Sequence, residues 1–153
     1  MATMLAIFAT RYLLVMLFLP FSLLDKIINF QGAVGQARQI APGGAAVLLI
    51  LMGIAVELLM PLAILTGTAD RAAGLVMAGY CMVTAVLWKQ FWKPGDFWRA
   101  GDSRGRDLFW DFLKNLALAG GFLLLVVGAH GTAGSFLAHP FASSHPYAPR
   151  TLS

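Results

Sequence analysis

Residues 109–126 read FWDFLKNLALAGGFLLLV. The stretch is apolar except for Asp111, Lys114 and Asn115 in its first turns. On a helix these positions are i, i+3 and i+4, so the three side chains share one face. Ala117, Gly121 and Gly128 continue the line from Lys114. The face is thus polar at one end and small-residued at the other. Lipid does not select such a surface, whereas neighbouring helices do. The stretch therefore predicts a membrane-spanning helix packed inside a bundle.

The rest of the chain agrees. Of 153 residues, 59% are hydrophobic and 12% charged, and the mean hydropathy is +0.75. Soluble domains carry about 25% charged residues, so the composition falls in the membrane class. The net charge is +4. Basic residues cluster where spans would end, which fits topology and anionic lipid headgroups rather than nucleic acid. The one cysteine, Cys81, sits in an apolar run and reads as a small buried residue; it excludes an internal disulfide. The N-terminal apolar run lacks a clean cleavage site and reads as a retained first helix.

Four spans are expected, at about residues 4–30, 45–66, 72–92 and 107–128. They form an all-α, up-down-up-down bundle with both termini on one side, and a short, partly disordered tail over 131–153. In the first span Arg11, Phe18, Ser22, Asp25 and Asn29 fall on one face. Lys26 lies beside them, and Pro20 predicts a kink. Residues 31–44, QGAVGQARQIAPGG, read as a loop with room for a short interfacial piece. In the second span Glu57 is the one charge, with Gly53 a turn before it and Pro61 four residues after it. Pro61 removes the helical partner of the Glu57 carbonyl. In the third span Gly74, Ala78, Cys81 and Ala85 form a small-residue packing face. Residues 91–107, FWKPGDFWRAGDSRGRD, are a charged loop, and Trp88, Trp92, Trp98 and Trp110 in or beside it read as an interfacial aromatic belt.

Lys26, Arg38, Lys89, Lys93, Arg99, Arg104 and Arg106 flank the two longer loops, against Arg71 and Arg150 on the side of the termini. The positive-inside rule then places those loops in the cytoplasm and the termini outside, in a plasma or inner membrane.

The charges within the spans allow two readings. They line a polar cavity for a small anionic or quinone-like ligand or for protons, since an ionisable residue in a span is a functional hypothesis by default. Alternatively they pair internally. By depth, Arg11 meets Glu57, and Lys114 meets Asp25 or Asp111. His130, His139 and His145 lack ligand spacing, so no metal site is expected. No phosphate-binding loop or nucleophile motif is present.

These residues resemble the DoxX family of small four-helix membrane proteins. The likeness rests on Arg11, Pro20-Phe21 and Asp25-Lys26 in the first span, and on Glu57, Gly67 and Arg71. It rests most specifically on FLKNLALAGG at 112–121. It covers about residues 5–128. Many members carry a histidine near the end of the third helix, where this chain has Trp88. The resemblance implies a subunit or accessory of a membrane redox system, with quinone as a possible cofactor and a soluble or membrane redox protein as partner. The alternative is a non-enzymatic carrier, scaffold or assembly factor. A carrier built from four short helices would need to be a homo-oligomer. A self-sufficient enzyme is not expected, since no complete catalytic constellation is present.

Overall fold

The computed structural model describes residues 1–127 and 133–148, which are helical with connecting turns and contain no strand. The helices are α1 (Ala2–Val15), α2 (Leu23–Ile28), α3 (Phe30–Ala37), α4 (Gly44–Thr66), α5 (Asp70–Trp88), α6 (Arg104–Val127) and α7 (Ala133–Ala138). A wider π-helical turn over Leu17–Ser22 joins α1 to α2. Among the described residues four stretches are long and apolar enough to cross a membrane: Ala2–Ile28, Gly44–Thr66, Asp70–Trp88 and Arg104–Val127. The expected all-α bundle of four long helices is therefore what the chain forms.

The first span is not a straight rod. Pro20 has no N–H to give, and Leu19 leaves the helical region at φ −117°, ψ 108°. The N–H of Leu23 reaches back five residues to the Phe18 carbonyl. A π turn holds more residues than an α turn, so it rotates the face that follows. The expected stripe splits there. Arg11, Phe18 and Leu23 are buried, whereas Asp25 and Asn29 are exposed and bonded to each other at 2.6 Å. Lys26, expected beside the stripe, turns inward in their place.

Residues 31–44, expected as a loop, contain α3 over much of their length. Phe30, Ala33, Val34 and Ala37 recur at helical spacing. Val34 and Ala37 are buried against Ala46 and Ile50 of α4, with Phe30 and Ala33 packed beside them. That apolar stripe outweighs the helix cost of Gly32 and Gly35. α4 runs unbroken through the buried Pro61. It ends at Gly67, whose φ of +77° is left-handed.

The core joins α1, α4, α5 and α6 through Val15, Phe18, Ile64, Met77, Ala78, Cys81 and Phe122. Gly74, Ala78, Cys81 and Ala85 are all buried on α5. At Gly74 a Cβ would stand 3.0 Å from the Phe122 carbonyl oxygen, so α5 and α6 approach to backbone contact there. The expected α6 seam needs correction. Ala117 is exposed, Gly121 lies against Leu14, and Gly128 is outside the described residues. The packed face runs instead through Ala119 and Phe122. Lys114 stands outward, 73% exposed, with Ala117, while Gly121 on the same line does pack on α1; Asn115, one position on, leads the inward face.

Two segments close the ends of the bundle. At one end, residues 89–103 fold around Phe91, whose ring meets Trp92, Phe97, Phe109 and Phe112 at 5.1–6.0 Å. Asp96 caps α6 by accepting the amides of Arg104 and Gly105 at 2.9 and 2.8 Å. These amides, Gly105 first, hold its carboxyl below the ordinary value despite some opposing desolvation. Arg106 ties the loop carbonyls of Phe97, Arg99 and Gly101. At the other end, residues 143–147 lie over the turn between α4 and α5. Ser143 donates to the Gly67 carbonyl at 2.6 Å, and Tyr147 donates to that of Leu65.

Candidate functional site

Among the described residues two buried charged clusters sit at different depths. The first lies at the tail end of the bundle. Arg11 donates to the Ile64 carbonyl and to Asp70 Oδ2, both at 2.6 Å, and to Ser144 Oγ at 2.9 Å. Asp70 is wholly buried and also accepts the Ser144 amide at 2.8 Å and its hydroxyl. The second cluster surrounds Glu57, which is 1% exposed. Its carboxylate accepts two bonds from Lys26 Nζ at 2.8 and 2.9 Å. It also accepts one each from Ser22 and Tyr80 at 2.9 Å. Lys26 donates to Ser22 as well, at 2.7 Å.

The expected Arg11–Glu57 pair is thus not made, for a geometric reason. Side chains on a helix lean toward its N-terminus. Arg11 on α1 therefore leans toward the tail end, to Ile64 and Asp70. Lys26 on α2 leans back into the bundle, and Glu57, on the antiparallel α4, leans toward it. The same rule takes Lys114 to Asp111 at 3.2 Å, within α6, and not to Asp25. Asp111 also pairs with Lys89 at 3.0 Å.

A cavity of about 740 Å³ occupies the loop-end half of the bundle. Asp25, Glu57, Asp111, Lys114 and Asn115 all line it, while Arg11 does not. The Glu57 cluster forms one end of the lining. Asp111, Lys114, Asn115, Lys89 and Trp88 lie toward the other, where α5 ends and α6 begins. Phe18, Leu17, Val83 and Leu118 supply apolar wall. Trp88 corrects the aromatic belt. Trp92, Trp98 and Trp110 are exposed, but Trp88 lines the cavity, and its Nε1 is buried with no hydrogen-bond partner among the described residues.

The sequence reading missed Asp70, Tyr80 and Ser144. Asp70 looked like a turn residue, although its place in the first turn of a helix marks it as an inward carboxylate candidate. Tyr80 carried a weak signal, a phenol in an apolar run that needs a polar partner when buried. Ser144 carried none, since only the folded tail brings it to Asp70.

Comparison with known proteins fits this architecture. The DoxX family profile matches residues 6–90. That range contains Arg11, Lys26, Glu57, Tyr80 and Trp88 but stops before α6, so the FLKNLALAGG motif lies outside it. The chain is also 31% identical over 123 residues to inner membrane protein YphA of Escherichia coli (strain K12), covering 79% of this chain and 81% of the relative. No solved structure matches. With the family profile covering more than half its length and this relative most of it, the chain belongs to the DoxX family of membrane proteins.

Proposed function

We propose that the chain is an inner-membrane subunit or accessory of a redox system and that its intramembrane cavity holds the headgroup of a quinone-like ligand. The observation that carries this reading is the cavity itself. It combines about 740 Å³ of space, an apolar wall and polar groups at two levels. Small-molecule sites share that make-up, mostly apolar with a few placed polar groups. The chain's own residues fit a quinone: Asn115 and Lys114 offer N–H donors for ring oxygens, and Phe18 and Leu118 supply apolar wall. Such a cofactor would supply two-electron carrier chemistry when bound. The protein would orient it and exclude water around Glu57.

In this reading the longer loops face the cytoplasm and the termini face outward. Cys81 is buried, so cysteines introduced by Asp102→Cys and Ala142→Cys are clean reporters. An impermeant maleimide should label the second in intact cells and the first only after lysis. The reverse pattern refutes the orientation.

Mass spectrometry of small molecules retained through gentle purification tests the ligand. A quinone, or a redox protein that co-purifies, is expected in the unsubstituted protein. Retention of neither would sink the redox reading. A second reading, a non-enzymatic scaffold or carrier, is favoured by the internal pairing of Arg11 with Asp70 and of Glu57 with Lys26. It predicts that Glu57→Gln alters assembly yield and no ligand content.

A further inference from the structure

We infer that the loop-end half of the cavity receives the oxygen acceptor of an amphiphilic ligand and that the Trp88 indole is the group that reads it. The inference rests on the cavity being a ligand site and assigns its polarity and approach.

The polar lining sorts by what each group still has to give. Glu57 takes four hydrogen bonds, and Lys26 gives all its reach to Ser22 and the two Glu57 oxygens. That end is saturated. At the other end Trp88 Nε1 is buried and unpartnered among the described residues. An indole nitrogen donates only, and a buried donor left unmet is destabilising, so it calls for an explanation. Asn115 lies nearby. One of its amide hydrogens goes to the Asp111 carbonyl at 2.9 Å, and its Oδ1 accepts from Thr84 at 3.4 Å, which leaves the second N–H for another acceptor. Among the described residues Lys114 donates to Asp111 alone, at 3.2 Å, and its side chain is otherwise exposed. The surplus at this end is of donors. An occupant therefore brings oxygen acceptors.

The walls set the rest of the ligand. Leu17, Val83 and Leu118 are apolar. α6 packs along α5 but meets the first span through α1; α2 shares no packed seam with it. Asp25 on α2 and Lys114 on α6 both line the cavity and are both exposed, so the mouth lies between these helices and has a charged rim. A hydrocarbon tail lies along the wall of Leu17, Val83 and Leu118. The Trp88 nitrogen is closed to water-sized contact, so reading the acceptor requires the indole to turn about its side-chain torsions, and a shift of its N–H signal on titration reports that turn. Quinones and ester-linked lipids share this chemistry: a neutral carbonyl head on an apolar tail.

The test uses the full chain in maltoside micelles with 15N-labelled tryptophan, the Trp88 indole signal being assigned by its loss in Trp88→Phe. A decyl-substituted benzoquinone is titrated in one arm and a short-chain diacyl phosphatidylcholine in the other. One probe should move the Trp88 N–H signal saturably while Trp98, 91% exposed, stays as an internal reference. Trp88→Phe should weaken that probe about three- to tenfold, the range for one hydrogen bond. The probe that saturates identifies the source of the carbonyl. If Trp88→Phe does not fold, the Trp88 signal is assigned by elimination from Trp92→Phe, Trp98→Phe and Trp110→Phe, and its shift in the unsubstituted protein decides. Saturable binding with a stationary Trp88 signal overturns the subsite but leaves the cavity reading intact. Saturation by neither probe overturns both.

Discussion

Lys26 and Glu57 show what one residue decides in this chain. Glu57 is buried and its charge is met mainly by one ammonium. Removing one partner of a buried pair leaves the other charge uncompensated, at about 3–5 kcal/mol. Lys26→Met should therefore lower stability by roughly that amount, read as an earlier denaturant midpoint in detergent. The double replacement Lys26→Met with Glu57→Leu should recover most of it. If the double change is as damaging as the single one, the ion pair is not what Lys26 provides. Tyr80→Phe should cost about 1.5–3 kcal/mol, the value of a bond to a charged acceptor. The charges themselves were legible, because an ionisable residue in an apolar run stands out. Their pairing was not. Depth counted along the helices ignores the lean of side chains toward each N-terminus, and at Arg11 and Glu57 that lean separates two residues that depth had joined.

At the scale of elements, close approach and capping decide. A Cβ at Gly74 would stand 3.0 Å from the Phe122 carbonyl and 3.3 Å from Leu125, with backbone that cannot swing aside. Gly74→Ala should part α5 from α6 at a cost of about 1–3 kcal/mol. Gly53→Ala meets only the Tyr80 hydroxyl, at 3.3 Å, and should be milder. The loop cap gives a pH dependence. Asp96 has a lowered carboxyl pKa in the folded chain, so its contribution is present above the unfolded value of about 3.9 and is lost as pH falls through the folded value. Protection of the Arg104 and Gly105 amides, measured against their intrinsic exchange rates, should fall in that acid range, and Asp96→Asn should abolish the change. Helix existence was readable from hydrophobic runs. The inward face of α2 was not, because it depends on how many residues the turn at Pro20 contains. The α6 seam was misplaced by one position, since Lys114 and Asn115 are neighbours on the wheel and the sequence does not say which of them faces in.

At the scale of the molecule, the bundle is tied at both ends by segments that lie outside its long helices. A chain ending after His139 would lose the contacts of Ser143, Ser144 and Tyr147. The Arg11–Asp70 pair would then be left less well satisfied. Its melting temperature in detergent should fall by several degrees, while the cavity, at the far end, keeps any ligand it binds. An unchanged melting temperature would show that the tail rests on the bundle without bracing it. The order of assembly follows from the same contacts. Arg11 enters the bilayer 59 residues before Asp70 is made and 133 before Ser144. A cation in the middle of a newly inserted helix costs about 2.5–3.5 kcal/mol. The first helix is therefore a poor resident of lipid until synthesis has advanced to the start of α5. Its lasting place in the membrane is fixed late, by a part of the chain not yet translated when it arrives.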